Sequence, residues 1–342
     1  MTKKLFRQSF LFDSLDLTND MPAGEAVVAS GTRFKLHKRG VLEVIPAHLD
    51  TNSKHVVISC GIHGDETAPM ELIDKIIDDI ETGFQPVKER LLFIIAYPEA
   101  TNAHTRCIET NLNRLFDNKP HAPSKELPIA EQLKESVSAF YIGTEESQRW
   151  HFDLHCAIRP SKHYSFAVSP KTRHPVRSRA LMTFVCSAHL EALLFSNAPS
   201  STFSWFSADM FAAQALTVEL GSVARIGDND LRKIVAFDLA LRDLISASEA
   251  EHFPRKPIMY RVSRTIVRIH EDFGFLFDDN VENFTSFKHG EVFGHDGDKP
   301  LMAKNEEEAI VFPNHDVEIG QRAALMICPV QVRFEDDQIV YD

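Results

Sequence analysis

Through most of this chain, short apolar runs alternate with longer amphipathic segments. The runs at 56–60, 90–97 and 150–156 have the length and composition of buried β-strands. Between the first two, apolar residues recur at helical spacing, with Pro69 near the start of that segment and Gly83 just past its end. Such alternation predicts an α/β fold in which a mixed, mainly parallel sheet carries helices on both faces.

The remaining elements of this part are predicted by the same rules. Further strands are expected at 164–169, 193–195 and 216–220, and further helices at 128–140, 174–190 and 228–250. Ligands collect beyond the carboxyl ends of parallel strands. Polar residues at those strand ends are therefore the first candidates for a functional site.

The two ends of the chain have a different pattern. Apolar and polar residues alternate over 25–48, with Lys38-Arg39-Gly40 as the turn, and this pattern predicts an N-terminal β-hairpin. Pro254-Arg255-Lys256-Pro257 is typical of a linker, and short β-prone segments separated by Gly, Pro, Asn and Asp follow it. We therefore predict a catalytic domain over 1–255 and a small C-terminal all-β domain over 256–342.

Composition excludes several classes of protein. The net charge of −12 disfavours sequence-independent nucleic-acid binding, which requires a basic surface. The longest apolar run, residues 91–97, is too short to span a membrane, and the N-terminus lacks the apolar core of a signal peptide. Five scattered cysteines without a Cys-x-x-Cys pair favour a reducing cytoplasm over a disulfide framework. An acidic protein of this kind must concentrate its basic groups locally if it binds an acidic molecule.

Three residues at predicted strand ends could hold one metal ion. His63 and Glu66 lie in the segment His63-Gly64-Asp65-Glu66, after the strand at 56–60, and His155 ends the strand at 150–156, 89 residues after Glu66. The chain has sixteen histidines, and a single histidine is most often structural. His63, Glu66 and His155, however, are all predicted to lie at one edge of the sheet. Two His and one Glu around zinc leave a fourth position for water, which is typical of a catalytic site. Asp153 is expected to orient an imidazole, and Asp65 to cap the following helix.

A hydrolytic site also needs a proton carrier. Glu219, in Leu216-Thr-Val-Glu-Leu-Gly221, ends another predicted strand at the same edge. A carboxylate within hydrogen-bonding reach of a metal-activated water can act as general base and then as general acid. The alternative is an ordinary charge at a strand end. We predict Glu219 as the catalytic base.

Basic residues cluster in two loops near these positions. Arg106, Asn113 and Arg114 lie within nine residues of one another after the strand at 90–97. Guanidinium groups bind carboxylates bidentately and stabilise oxyanions, so this loop is predicted to clamp an acidic substrate. Arg159 and Lys162, with His163, form a second positive segment just past His155.

Four motifs carry a family resemblance that covers about residues 40–335. In chain order, the motifs are Gly61-Ile-His63-Gly-Asp-Glu66, Asn111-Leu-Asn113-Arg114, His151-Phe-Asp-Leu-His155 and Thr217-Val-Glu219-Leu-Gly221. With these motifs in this order, the chain resembles the succinylglutamate desuccinylase and aspartoacylase family, a branch of the zinc carboxypeptidase superfamily. The resemblance implies a zinc carboxypeptidase-like fold with one zinc ion per subunit.

The resemblance also implies an activity and a role for each residue. It implies hydrolysis of N-succinyl-L-glutamate to succinate and L-glutamate, the last step of arginine degradation by the succinyltransferase route. Zinc would be bound by the two His and Glu66, with Glu219 as acid and base and Arg106 near the scissile carbonyl. Asn113 and Arg114 would bind a substrate carboxylate. Residues 198–218 contain no Arg or Lys, which counts against aspartoacylase and leaves a second carboxylate-binding group unidentified.

Other functions remain open at this point. The chain could be an N-acyl amino-acid deacylase of other acyl specificity, a zinc carboxypeptidase, or a zinc-stabilised protein that binds an acidic ligand without turnover. The short interval between Glu66 and His155 and the added β-domain count against a carboxypeptidase, and Glu219 counts against a pure binder. The expected partner is a small acidic substrate, not nucleic acid or a membrane, and the sequence leaves the oligomeric state open.

Overall fold

A computed structural model describes residues 5–248 and 254–341 of the chain. The first four residues of the N-terminal segment and the predicted helix end at 249–250 lie outside these ranges. Among the described residues the α-helices are α1 Phe10–Leu15, α2 Ala68–Thr82, α3 Pro98–Asn102, α4 Glu126–Tyr141, α5 Arg179–Ser187, α6 Phe203–Phe211 and α7 Val235–Ser246.

Eighteen strands are present in the same ranges. Those of the first part are β1 Gly24–Val27, β2 Arg33–Lys38, β3 Val41–Ile45, β4 His55–Cys60, β5 Arg90–Ile95, β6 Arg149–Ala157, β7 Ser165–Ser169, β8 Ala192–Phe195 and β9 Gln214–Ser222. Those of the second part are β10 Ile258–Val267, β11 Phe273–Phe275, β12 Thr285–Phe287, β13 Val292–Asp296, β14 Lys299–Met302, β15 Glu308–Val311, β16 Arg322–Pro329, β17 Val332–Glu335 and β18 Gln338–Tyr341.

One large mixed sheet organises the molecule. Its thirteen described strands run in the order β1-β2-β3-β5-β4-β6-β9-β7-β8-β10-β16-β15-β12. The central strands β5, β4, β6 and β9 are parallel, so their carboxyl ends meet at one edge. The predicted N-terminal hairpin is the antiparallel pair β2–β3, which β1 extends by one strand.

Helices cover both faces of the central sheet, which confirms the predicted α/β class. On one face, apolar residues of α1, α2, α5 and α7 pack against strand residues such as Ile58 and Phe152. On the other face, α4 and α6 pack against Val57, Leu92 and Ile94. The central strands are buried on both faces, and their nearly continuous apolar sequences follow from that burial.

The C-terminal strands confirm the predicted all-β part. β10, β16, β15 and β12 are joined by antiparallel pairs, and the three-stranded sheet β11-β13-β14 packs against them through residues such as Phe273, Phe293 and Met326. β10 also pairs in parallel with β8, so the large sheet continues from one part into the other. The hairpin β17–β18 returns to the first part, where Ile339 joins its main core. The boundary at 255/256 stays a prediction.

Several helices differ from the sequence prediction, and the short helices α1 and α3 were not predicted. The helix expected over 174–190 is shorter, because Pro175 precedes it and Ser178 caps its start, accepting a hydrogen bond from the Leu181 amide at 3.1 Å. Helix α6 was missed, because its apolar residues are not spaced at helical intervals that mark one buried face. The helix predicted over 228–250 begins with a 3₁₀ turn at Leu231–Ile234 before α7.

No helix within the described ranges has the length and apolarity that a membrane span requires.

Candidate active site

The carboxyl ends of three neighbouring strands position the site. β4 ends at Cys60, and the turn that follows carries His63 and Glu66 into the start of α2. β6 carries His155, and β9 carries Glu219 directly beside it in register. The three strands are adjacent and parallel, so these side chains meet at one edge of the sheet although the chain separates them widely.

Glu66 lies between the two imidazoles. Its Oε1 is 2.8 Å from His63 Nδ1, and its Oε2 is 2.7 Å from His155 Nδ1. One potential ligand atom from each residue lies within 4.8 Å of the others, and all three side chains are buried. The three predicted metal ligands therefore converge on a single ion-sized point.

The hydrogen bonds on the far side of each imidazole test whether a cation fits. His63 Nε2 lies 3.0 Å from Asn111 Oδ1, which also accepts a hydrogen bond from the Asn113 amide at 2.9 Å. His155 Nε2 lies 2.9 Å from Asp153 Oδ2. Both Nε2 atoms must then donate, so in a neutral imidazole the lone pair of Nδ1 faces the Glu66 carboxylate. Only a proton or a cation between them relieves that repulsion, and the arrangement fits a divalent metal.

The pKa values of these groups agree with such a site. Burial alone would raise the pKa of Glu66, but His63 and His155 hold it well below its ordinary value. Burial alone would lower the pKa of His155, but the carboxylates of Asp153 and Glu66 raise it well above the ordinary value. Burial, with the charge of Arg106, lowers the pKa of His63 to about 4. Metal ligands must be deprotonated, so a bound cation displaces the proton from His155.

A chain of buried hydrogen bonds extends behind His155. Asp153 Oδ1 accepts from Ser59 Oγ at 2.6 Å, and Ser59 Oγ lies 2.8 Å from His151 Nε2. His151 Nδ1 in turn lies 2.7 Å from Ser207 Oγ on α6. Because the Asp153 carboxylate can only accept, the hydrogen bonds all point the same way. Ser207 Oγ donates to His151 Nδ1, His151 Nε2 donates to Ser59 Oγ, and Ser59 Oγ donates to Asp153. The expectation that Asp153 orients an imidazole is supported by this geometry.

Glu219 is a buried carboxyl beside the cluster. Burial, followed by the negative charge of Glu66, raises the pKa of Glu219 to about 7. Within the ranges that the structure describes, its Oε2 has no hydrogen-bond partner. A carboxyl group with these properties can accept and release a proton near neutral pH.

The loop between α3 and α4 brings the predicted basic residues to the cluster. Arg106 Nη1 donates to Glu66 Oε1 at 2.9 Å, and the Arg106 carbonyl accepts from the Gly64 amide. Asn113 Oδ1 accepts from the Phe203 amide at 2.9 Å, which places Nδ2 3.5 Å from His155 Nε2. Arg114 is close enough to Arg106 for their charges to interact, and burial lowers its pKa to about 9.

The second basic segment contacts the C-terminal part of the chain, where Arg159 Nη2 lies 3.8 Å from Asp279 Oδ1. Arg159 lines a cavity of about 300 Å³ with Phe275, Asp279 and other residues of the C-terminal part. The side chain of Lys162 is exposed. His163 packs edge-on against Phe284, with ring centres 4.4 Å apart. The substrate-binding roles predicted for Arg159 and Lys162 stay predictions.

Two details of the sequence interpretation change. Asp65 does not cap α2, because the helix begins at Ala68 after Thr67, and no side chain makes that cap. The sequence assigns no role to Asn111, yet this residue fixes the tautomer of His63. Its place in the motif Asn111-Leu-Asn113-Arg114 was the available signal, but only the contact itself assigns the function.

The chain is similar to known proteins over its full length. Residues 52–245 match the family model described as succinylglutamate desuccinylase/aspartoacylase catalytic domain, and residues 255–330 match the AstE/AspA barrel-sandwich hybrid domain. A protein of Vibrio cholerae named succinylglutamate desuccinylase is 69% identical over 342 residues, with both chains covered completely. A protein of the same name from Idiomarina loihiensis is 42% identical and covers 89% of this chain and 90% of its own length.

Solved structures give the same picture. The crystal structure of succinylglutamate desuccinylase from Vibrio cholerae superposes with a TM-score of 0.98, at 69% identity, over 99% of this chain and 100% of that chain. Murine aminoacylase 3 shares the fold, with a TM-score of 0.56 at 16% identity over 86% of this chain and 100% of its own.

Proposed function

The chain belongs to the succinylglutamate desuccinylase/aspartoacylase family, and from that premise we propose that it hydrolyses N-succinyl-L-glutamate to succinate and L-glutamate. The observation that carries the proposal is the convergence of His63, Glu66 and His155 beside the carboxyl of Glu219. Similarity over the full chain to proteins named succinylglutamate desuccinylase supports the choice of substrate. The reaction would complete arginine degradation by the succinyltransferase route, in the cytoplasm.

Zinc is the proposed metal, with one ion per subunit. His63 and His155 would bind it through Nδ1, and Glu66 through its carboxylate, because these atoms face one another. When bound, zinc supplies a Lewis acid that polarises the amide carbonyl and lowers the pKa of water from about 15.7 to about 7.

Glu219 carries the proton in the proposed reaction. It takes a proton from the attacking water as the water oxygen bonds to the succinyl carbonyl carbon. It then delivers that proton to the amide nitrogen as the carbon–nitrogen bond breaks, so that glutamate leaves as an amine. In the metal-free site, burial and the charge of Glu66 raise the pKa of Glu219 above its ordinary value, which suits a carboxyl group that must both take up and release a proton.

Arg106 stabilises the negative charge that develops on the carbonyl oxygen. One of its Nη1 hydrogens is directed to Glu66, which fixes the guanidinium at the edge of the cluster and leaves other N–H groups for the substrate. Asn113 and Arg114 are proposed to bind a substrate carboxylate, as are Arg159 and Lys162 at the outer side of the site.

Two measurements on the purified protein test the proposal. The first is the metal content before and after dialysis against a chelator, with activity restored by added zinc. The second compares initial rates on N-succinyl-L-glutamate, N-acetyl-L-aspartate and a dipeptide. We expect one zinc per subunit and the highest kcat/KM on N-succinyl-L-glutamate. A preference for N-acetyl-L-aspartate or the dipeptide would refute the substrate assignment, and tight binding without turnover would indicate a binding protein.

A further inference from the structure

Arg322 brings a third guanidinium to the catalytic cluster from the C-terminal part of the chain. It is the first residue of β16 and pairs with Val267 of β10. Its guanidinium carbon lies 5.8 Å from the centre of the Phe312 ring. The Phe312 ring packs against Phe166 with ring centres 5.7 Å apart, and Phe166 is the register neighbour of Glu219 in β7 and β9. Two packed rings thus link Arg322 to Glu219, and its charge acts on Glu219, Arg106 and Arg114.

Three guanidinium groups, those of Arg106, Arg114 and Arg322, act on one another electrostatically at this point of the structure. Arg106 is paired with Glu66, but neither Arg114 nor Arg322 forms an ion pair with any residue in 5–248 or 254–341. Burial lowers the pKa of both guanidinium groups. Both side chains are partly shielded from water and lack an ion-pair partner within 4 Å among the described residues, so an anion that enters beside them gains a charge-assisted contact.

We propose that Arg322 binds a carboxylate of the substrate. The proposal rests on the function proposed above and deepens it, because N-succinyl-L-glutamate carries three carboxylates. Residues 198–218 contain no Arg or Lys, so the stretch before Glu219 supplies no cation for a second carboxylate. Arg322 supplies that cation from a different part of the chain, and the C-terminal strands thereby take part in choosing the substrate. A guanidinium–carboxylate pair is both strong and directional.

Substrates that lack one carboxylate at a time identify the contact. N-butyryl-L-glutamate lacks the succinyl carboxylate, N-succinyl-4-aminobutyrate lacks the α-carboxylate, and N-succinyl-L-norvaline lacks the γ-carboxylate. We expect Arg322→Gln to lower kcat/KM on N-succinyl-L-glutamate about 10²-fold, because it removes one partner of a buried charge pair. On the one analogue that lacks the contacted carboxylate, kcat/KM of the variant and of the original protein should differ by less than about threefold. Arg322 has no carboxylate to bind in that analogue, so its removal changes little.

Control variants separate recognition from folding and net charge. Arg322→Lys keeps the charge but loses bidentate geometry, so a smaller loss on N-succinyl-L-glutamate is expected. Lys299→Gln removes one positive charge from an exposed position of β14 and should leave all rates unchanged. Zinc content and melting temperature of each variant show whether the site and fold persist.

The outcomes distinguish this inference from the function on which it rests. An equal loss with all four substrates, or no loss with any, would overturn the contact with a carboxylate. Calorimetric binding of succinate and of L-glutamate provides a readout that needs no turnover. If the original protein binds these products but does not hydrolyse N-succinyl-L-glutamate, the proposed function fails. If Arg322→Gln binds both products as tightly as the original protein does, the role of Arg322 fails.

Discussion

His155 and Glu219 are direct neighbours in the register of parallel strands β6 and β9. Backbone hydrogen bonding thus sets a candidate metal ligand beside the candidate base, and neither depends on a mobile loop for its position. The same edge receives Glu66 from the turn after β4, and its charge helps to raise the pKa of Glu219. Sheet register therefore sets the geometry of this pair, while burial and the charge of Glu66 raise the proton affinity of Glu219.

Replacing Glu219 with Gln should abolish most turnover and leave metal binding intact. The amide keeps the shape of the side chain but cannot accept a proton, so kcat should fall by about 10²–10⁴-fold. The measurements are initial rates on N-succinyl-L-glutamate and zinc content. Glu25→Gln, at an exposed position on β1, is the matched control and should behave as the original protein. Unchanged kcat in Glu219→Gln would remove this residue from the mechanism.

Replacing Asp153 with Asn should weaken metal binding. Asp153 Oδ2 accepts the His155 Nε2 hydrogen, and this bond keeps Nδ1 directed at Glu66. An amide there is a weaker acceptor and presents donor hydrogens, so metal affinity should fall by about 10–100-fold. Competition against a chelator of known affinity measures the change. Equal affinities would show that the imidazole is oriented by other contacts.

Acid should destabilise the metal-free protein through His151. Burial lowers the pKa of His151 to about 4, although the charge of Asp153 partly opposes this. The ordinary pKa is about 6.5. Between those values the unfolded chain binds a proton that the folded protein does not, so the free energy of unfolding falls as pH decreases from 6.5 to 4.

Denaturant unfolding at pH 7 and pH 4.5 measures this contribution. The loss attributable to His151 should be on the order of 3 kcal/mol across the full window. His151→Gln removes the titrating group, so the variant should lose less stability on acidification than the original protein, even if it is less stable at pH 7. Parallel losses in both proteins would contradict the assignment.

Replacing Gly64 with Ala should damage the turn that carries two ligands. A Cβ at this position would lie 2.2 Å from the Ala100 carbonyl carbon in α3, so backbone must move. Overpacking of this kind costs about 1–3 kcal/mol, and displacement of His63 should reduce zinc content. Unfolding free energy and metal content are the two measurements.

Gly83→Ala is the matched control for this change. Gly83 follows α2 with φ +87°, and a Cβ there would meet nothing within 4 Å. Its left-handed backbone makes alanine unfavourable by about 1–2 kcal/mol, but the site lies at the other end of the helix. Zinc content should therefore stay unchanged in Gly83→Ala. Equal zinc loss in both variants would show that general destabilisation, not the turn at Gly64, explains the effect.

Local sequence patterns predicted much of the fold. Helix α2 was recognisable because its apolar spacing, Pro69 and Gly83 agree with one another, and each acts within a few residues. Helix α6 lacks such spacing, because both its sides are covered by tertiary contacts. The pairing of β10 with β8 was also beyond prediction, since hydrogen bonding between distant strands leaves no local mark on either sequence.

The sequence by itself determined the residue types of the site and their place at strand ends: His63, Glu66, His155 and Glu219. Only the tertiary structure decided which ring nitrogen of each histidine faces Glu66, which hydrogen bonds hold it there, and that Arg322 arrives from a remote strand. The physical reason is the distance along the chain over which each kind of interaction acts. Strand and helix preferences act over neighbouring residues, whereas hydrogen-bond direction and buried charge depend on groups that meet only after the chain has folded.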